Sequence, residues 1–145
     1  MNTLLFDTET TGLVKDRLDA THAKQPMPIQ IGMKLDAVNR REMLAANYMM
    51  VPQGWTMDAK ASEITGLTDD FASEFGTHFI TGVEFFLDAV RNAEILVAHN
   101  AKFDVTVMRR ATYVYCDMVG EEYVDPFKDK TIICTMLAAI NIVKA

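Results

Sequence analysis

The chain has 145 residues, half of them hydrophobic and 23% charged, which is typical of one folded domain rather than a disordered segment. Its formal net charge of −6 argues against a protein that coats duplex nucleic acid, because that binding mode needs many basic side chains. No stretch approaches the roughly 18 consecutive apolar residues of a membrane helix, so we expect a single domain over residues 1–145 with no membrane partner.

The first half of the chain predicts three strands. Residues 3–6 form a short apolar run that precedes a polar, turn-forming segment, which is typical of a buried strand that ends in a loop. Residues 29–35 alternate apolar and polar side chains, as in a strand with one buried face. Residues 45–51 are a third strand candidate, ended by residues 52–54. The short polar connections between these segments favour an antiparallel meander.

The second half begins with a pattern that alternates helix and strand. Thr81 and Glu84 form a capping box, which predicts the start of a helix. Residues 95–98 are a short apolar run, best interpreted as a buried strand. Asn100 is a favourable N-cap for a helix that continues through Arg110.

Residues 130–134 predict a last strand, and residues 136–143 the start of a further helix. Hairpin-connected strands that are followed by strand–helix alternation indicate an α/β fold: a mixed sheet with helices packed on it. Cys116 and Cys134 lack the spacing of a metal site, and no secretory signal is visible, so we expect a reduced, cytoplasmic protein.

The segment from Asp7 to Gly12 carries the first chemical signal. Side chains at positions i and i+2 of a strand share a face, so Asp7 and Glu9 project the same way, about 6.5 to 7 Å apart along the chain. Two carboxylates in this arrangement can share a pair of hard cations, which two-metal sites hold about 3.5 to 4 Å apart. Taken alone, the segment is equally consistent with two solvated acids at a strand end.

A second signal follows the strand at residues 95–98. His99 ends that strand, Asn100 caps the next helix, and Asp104 falls in the first turns of the helix. A carboxylate in this position benefits from the field of the helix N-terminus. The alternative is a plain capping arrangement with an exposed aspartate.

Together, the segments FDTETTGL (residues 6–13) and AHNAKFD (residues 98–104) resemble the first two motifs of the DEDD, or DnaQ-like, 3′→5′ exonuclease family. Residues 61–68 resemble the segment that precedes a helix in the proofreading members, and residues 135–137 resemble a strand-to-helix junction beyond the second motif. The resemblance implies a ribonuclease H-like mixed sheet, with an antiparallel three-strand meander, parallel strands and flanking helices. Residues 61–68 favour the branch of the family that uses a catalytic histidine.

The resemblance also implies a site. Asp7, Glu9 and Asp104 would be the catalytic residues and the ligands of two divalent cations, Mg²⁺ or Mn²⁺. One cation would lower the pKa of a bound water and the other would stabilise charge on the leaving 3′ oxygen. The substrate would be the 3′ end of a single-stranded nucleic acid, with DNA favoured over RNA, and the products nucleoside monophosphates.

Seven further residues match positions near the substrate in this family. Phe103 has a plain alternative, core packing on the helix face. The set comprises Thr8, Thr10, Gly12, Leu13, His99, Asn100 and Phe103. Five basic residues are candidates for phosphate contacts, although the last two could simply be solvated at a helix end: Lys15, Arg17, Lys102, Arg109 and Arg110.

The sequence departs from the family in its last residues. The third motif would add a fourth carboxylate and a His or Tyr that activates water, but no H-x-x-x-x-D or Y-x-x-x-D follows Thr135. We therefore expect an exonuclease domain that is truncated before its final helix. Two alternatives to an active enzyme stay open: a catalytically incomplete domain that binds nucleic acid or a polymerase, and a site that a second chain completes.

Overall fold

The computed structural model describes residues 1–143. The described residues form five strands and five helices, which lie in this order along the chain: β1 (Thr3–Thr10), β2 (Pro28–Asp36), β3 (Glu42–Met49), α1 (Ala59–Thr65), α2 (Asp69–Phe75), α3 (Phe79–Arg91), β4 (Ile95–Ala98), α4 (Ala101–Val119), β5 (Thr131–Cys134) and α5 (Thr135–Val143).

The five strands form one mixed sheet in the order β3-β2-β1-β4-β5. β2 pairs antiparallel with both β1 and β3, so the first three strands are a meander. β4 pairs parallel with β1 and with β5. The predicted α/β fold, with its antiparallel meander and parallel strands, is therefore confirmed.

The core lies on one face of the sheet. Leu4 and Phe6 of β1 point into it, where Phe6 meets Phe86 of α3 with ring centroids 5.2 Å apart. Burial of an apolar side chain of this size stabilises a fold by about 1.5 to 3 kcal/mol. The opposite face is more open in the described residues, since Leu5 and Ile133 keep 41% and 43% of their surface exposed.

Residues 61–68 were expected only to precede a helix, and α2 does follow them at Asp69. Helix α1, which covers most of that segment, was not predicted, and neither were the bounds of α2. Each helix has a side chain that caps its N-terminus. Asp58 accepts a hydrogen bond from the Ala61 amide, and Thr68 accepts one from the Phe71 amide. Both helices have only seven residues, too few for the apolar periodicity that made the longer helices recognisable.

The predicted capping box was wrong. α3 begins at Phe79, and Thr81 lies inside the helix rather than at its N-cap. The N-cap is His78, which makes no side-chain capping bond. Phe79 is fully buried and its ring meets Trp55 edge-on at 5.0 Å, so packing rather than capping determines where this helix starts.

Helix α4 is longer than expected. Asn100 is its N-cap, as predicted, but with a φ of 58° and no side-chain capping bond. The helix passes Arg110 and ends at Val119, because Gly120 adopts the left-handed conformation that closes a helix. Among residues 1–143, the structure contains no helix long and apolar enough to span a membrane.

Candidate active site

Asp7 and Glu9 lie side by side on the open face of β1. The alternation of a strand places Phe6 and Thr8 on the buried face and leaves these two carboxylates on the other. Across the sheet, Asp7 pairs with Gly32 and Glu9 pairs with Gln30. Both acids line one cavity of about 380 Å³, whose remaining walls are Gln30, Gly32 and Asn47.

Asp104 lies in the first turn of α4 and is only 2% exposed. The backbone amide of Thr8 donates to Asp104 Oδ1 over 3.0 Å, and the Thr8 hydroxyl donates to the same atom over 2.7 Å. Thr8 separates Asp7 from Glu9 in the strand. These two bonds therefore fix the start of α4 against the part of β1 that carries both acids, and they bring the two sequence motifs together.

The three carboxyl groups influence one another electrostatically. The pKa of Asp104 is raised from 3.8 to about 6, chiefly by burial and also by the charge of Asp7, against the opposing effect of the bonds from Thr8. Burial also raises the pKa of Glu9, again with a contribution from Asp7. Asp7 is thus close enough to repel the negative charges of both Glu9 and Asp104. A cation beside the three acids would relieve this repulsion.

The oxygen atoms of these side chains are the ligands that Mg²⁺ and Mn²⁺ prefer, so the chemistry of the set fits a divalent cation. Within residues 1–143, however, no three His, Cys, Asp or Glu side chains converge closely enough to hold one ion among them. The three acids are therefore near enough to affect one another's pKa values, but they do not surround a single ion position. The ligand set Asp7, Glu9 and Asp104 stays a prediction.

An apolar groove of about 320 Å³ begins at Glu9. Leu13 lies at its edge with 76% of its surface exposed, and Ile64 of α1 is similarly exposed. Five of the seven predicted substrate residues share this groove: Thr8, Thr10, Gly12, Leu13 and Phe103. Phe103 is half-buried and lines the groove, so its ring is not wholly packed in the core, and its substrate role stays a prediction.

The sequence analysis missed the second wall of the groove, which is formed by α1 and the residue before it. Asp58, Lys60 and Ile64 are among its lining residues. The resemblance in residues 61–68 pointed to this segment, but it did not show that a helix there faces Glu9.

His99 and Asn100 lie apart from the groove residues. His99 lines a different cavity of about 600 Å³, together with Asp7 and Lys34. Its Nδ1 atom is hydrogen-bonded to Thr135 Oγ1 at 3.0 Å, which ties the end of β4 to the start of α5. Asn100 occupies the left-handed turn into α4. Asp7 and Glu9 thus stand between the His99 cavity and the apolar groove.

Gly12 faces the carboxylate of Asp58, and we expect Gly12→Ala to weaken oligonucleotide binding. A Cβ atom there would lie 2.8 Å from Asp58 Oδ2, so the Asp58 carboxylate, which caps α1 and lines the groove, would have to shift. The double variant Gly12→Ala/Asp58→Ser should regain binding, because serine still caps the helix and is too short to collide. Fluorescence anisotropy with labelled single-stranded DNA measures both, and equal binding by Gly12→Ala and the unmodified chain would contradict this account.

Comparisons with known proteins agree on the family. The model of the RNase_T family, described as Exonuclease, matches residues 4–144. The DNA polymerase III subunit epsilon of Buchnera aphidicola subsp. Schizaphis graminum is 30% identical over 102 residues, which cover 70% of this chain and 41% of that protein. This chain thus spans about two fifths of that relative.

Solved structures show the same fold. E. coli exonuclease I in complex with a 5cy-dA13 oligonucleotide matches 98% of this chain and 30% of its own, with a TM-score of 0.76 and 17% identity. Exonuclease I from Methylocaldum szegediense matches 99% of this chain and 29% of its own, with a TM-score of 0.73 and 17% identity. The resemblance of the two motifs is therefore confirmed, and the chain belongs to the exonuclease family as a DEDD-type member with a ribonuclease H-like fold.

Proposed function

We propose that the chain is a metal-dependent 3′→5′ exonuclease that releases nucleoside monophosphates from DNA. The observation that carries the proposal is the pair of hydrogen bonds from Thr8 to Asp104, which holds Asp104 against the part of β1 that carries Asp7 and Glu9, next to the groove that Glu9 lines. Perturbed acids beside a groove are typical of catalytic sites. Membership of the exonuclease family supports the reaction class.

In this proposal Asp7, Glu9 and Asp104 hold two Mg²⁺ or Mn²⁺ ions. When bound, such ions supply an activated water and stabilise negative charge on the leaving oxygen. Thr8 orients Asp104 through its two hydrogen bonds, in the way that partners of metal ligands hold those ligands in place. The pKa of Asp104 is raised in the folded chain, and a cation nearby would lower it again because it favours the charged carboxylate.

The groove would receive the terminal nucleoside. Leu13, Ile64 and Phe103 offer apolar surface for a base, while Glu9 places the acidic pair next to the phosphate that follows. Base contacts with apolar and aromatic side chains are tolerant of sequence, which suits an enzyme that removes successive nucleotides. The preference for DNA over RNA rests on the relatives.

Two relatives suggest the partners. Exonuclease I was solved in complex with a DNA oligonucleotide, and the Buchnera relative is a subunit of DNA polymerase III. We therefore propose a single-stranded DNA 3′ end as substrate and a polymerase as a protein partner. Proofreading during DNA replication is the process that joins the two.

A second function is favoured by one observation. No three metal-ligating side chains converge within the described part of the chain. The domain would then bind 3′ ends or a polymerase without cutting, or a second chain would complete the ligand set. The open face beside Asp7, with its exposed Leu5, is where such a chain would reach the acids.

One assay separates these functions. The chain is incubated with Mn²⁺ and single-stranded DNA labelled at either the 3′ or the 5′ end. An exonuclease of the proposed polarity releases labelled mononucleotide from the 3′ label at once and a descending ladder from the 5′ label. Binding by anisotropy without release supports the second function, while early release of the 5′ label contradicts the polarity. A matched RNA strand measures the preference for DNA.

A further inference from the structure

Two of the five basic residues that could contact phosphate serve the fold instead. Arg109 Nη2 lies 3.0 Å from Asp125 Oδ2 and so holds the segment after α4. Arg110 Nη1 donates to the carbonyl oxygen of Thr21 over 2.7 Å. Both arginines tie neighbouring segments to α4, which leaves them poorly placed to bind a strand.

Lys102 is also occupied, since its ammonium group lies 3.2 Å from Asp16 Oδ1. Lys15 and Arg17 differ from the other three. Both are exposed, and neither forms an ion pair with any residue in the described range 1–143. We call these two residues the basic strip.

The loop that carries the basic strip is held by one buried side chain. Gln25 is 4% exposed, and its Oε1 accepts the Lys15 amide at 2.9 Å. Its Nε2 donates to the carbonyl oxygens of Lys15 at 2.8 Å and Leu18 at 3.2 Å. These bonds fix both ends of residues 15–18, so the strip projects from an ordered backbone.

The same loop adjoins the candidate active site on two sides. Leu13, two residues before the strip, lines the apolar groove. Asp16, which lies between the two residues of the strip, forms an ion pair with Lys102 in the first turn of α4, the turn that also carries Asp104. If the 3′ end of a nucleic acid occupies the groove, Lys15 and Arg17 can therefore reach its phosphate backbone.

We propose that Lys15 and Arg17 bind the backbone phosphates of a single-stranded nucleic acid, upstream of the nucleotide in the groove. The inference rests on the proposed function, because it extends the same substrate past its terminal nucleotide. The charge of the loop agrees with an anionic ligand. Asp16 pairs with Lys102, and Lys15, Arg17 and Lys24 outnumber Asp19, the other acid of the loop.

The test is the salt dependence of binding. The probe is a fluorescein-labelled oligo(dT) of about 16 nucleotides, a length at the upper end of single-strand binding sites. Phosphorothioates at its 3′ end prevent cleavage. Each phosphate contact on a single strand adds about 0.7 to the slope of log affinity against log salt, so Lys15→Ser/Arg17→Ser should lower that slope by about 1.4.

The matched control is Arg41→Ser/Lys128→Ser, which removes the same charge. Arg41 precedes β3, and Lys128 precedes β5. Both lie at the end of the sheet where β1 begins, away from Glu9. Circular dichroism melting curves establish that each variant is folded, and the single changes Lys15→Gln and Arg17→Gln should each lower the slope by about 0.7.

A lower slope in the strip variant alone supports the proposal. Equal loss in the strip variant and the control would mean that only overall charge matters, which overturns it. An unchanged slope in the strip variant, with the unmodified chain still binding, overturns the strip and leaves the proposed function standing. No binding by the unmodified chain would overturn the proposed function together with the strip.

Discussion

Asp7→Asn should reduce nucleotide release by about 100- to 1,000-fold while the chain stays folded. A bound cation contributes several kcal/mol to stabilising the transition state, and each 1.36 kcal/mol is a factor of about ten in rate. The charge of Asp7 contributes to the raised pKa values of Glu9 and Asp104, so its loss removes negative charge that would attract a cation to these acids. Asparagine keeps the size of the side chain, which lies on the open face of β1.

The measurement is the initial rate of mononucleotide release from 3′-labelled single-stranded DNA in Mn²⁺. Asp117→Asn is the matched control, since this exposed residue of α4 lines no part of the site. It should keep the full rate. Equal release by Asp7→Asn and the unmodified chain would remove Asp7 from the mechanism, or show that a contaminating nuclease causes the activity.

Asp104→Asn should have opposite effects on activity and stability. Nucleotide release should fall as for Asp7, but the metal-free protein should become more stable at pH 8 by about 1 to 3 kcal/mol. Asp104 is buried, and its pKa rises from 3.8 to about 6 in the folded chain, so ionisation of this group opposes folding. Asparagine retains an oxygen that can accept both bonds from Thr8.

The direction of the pH effect follows from the same shift. Between pH 4 and pH 6 the folded state holds a proton on Asp104 that the unfolded state has lost, so the contribution of Asp104 to stability falls as pH rises. The cost is absent below the ordinary pKa and complete above pH 6. The stability difference between Asp104→Asn and the unmodified chain should therefore grow from near zero at pH 4.

Urea unfolding in the presence of a chelator measures that difference at each pH. Subtracting the two proteins cancels the carboxyl groups that they share, and Asp117→Asn again serves as the control. For a chain near this length, each kcal/mol of added stability raises the melting temperature by about 2 to 4 °C. If the stability gain of Asp104→Asn over the unmodified chain were smaller at pH 8 than at pH 4, the raised pKa of Asp104 would be contradicted.

Much of the site could be predicted from the sequence because its residues follow simple periods. The strand period places Asp7 and Glu9 on one face, and the N-cap position of Asn100 places Asp104 in the first turn of α4. The bonds from Thr8 to Asp104 could not be predicted, because they join residues far apart in the chain. Only the packing of α4 against β1 brings them together.

The apolar groove and the loop that carries Lys15 and Arg17 also depend on contacts between distant residues, which the sequence does not reveal. Leu13 and Phe103 were predicted as substrate residues, but the wall that α1 provides depends on how a short helix docks. The role of Gln25 also escaped the sequence analysis, since a glutamine next to a proline gave no signal of burial. Among the five basic residues, ion pairs that form only in the folded chain distinguish Lys15 and Arg17 from the rest.

Thermal unfolding with and without Mn²⁺ tests most directly whether Asp7, Glu9 and Asp104 bind divalent cations. Binding to the folded state alone adds about 2.7 kcal/mol of stability when the free ion is at 100 times its dissociation constant. We predict that millimolar Mn²⁺ raises the melting temperature of the unmodified chain by several degrees and that Asp7→Asn abolishes most of this rise. Superimposable melting curves with and without the ion, or an equal rise in both proteins, would contradict the claim.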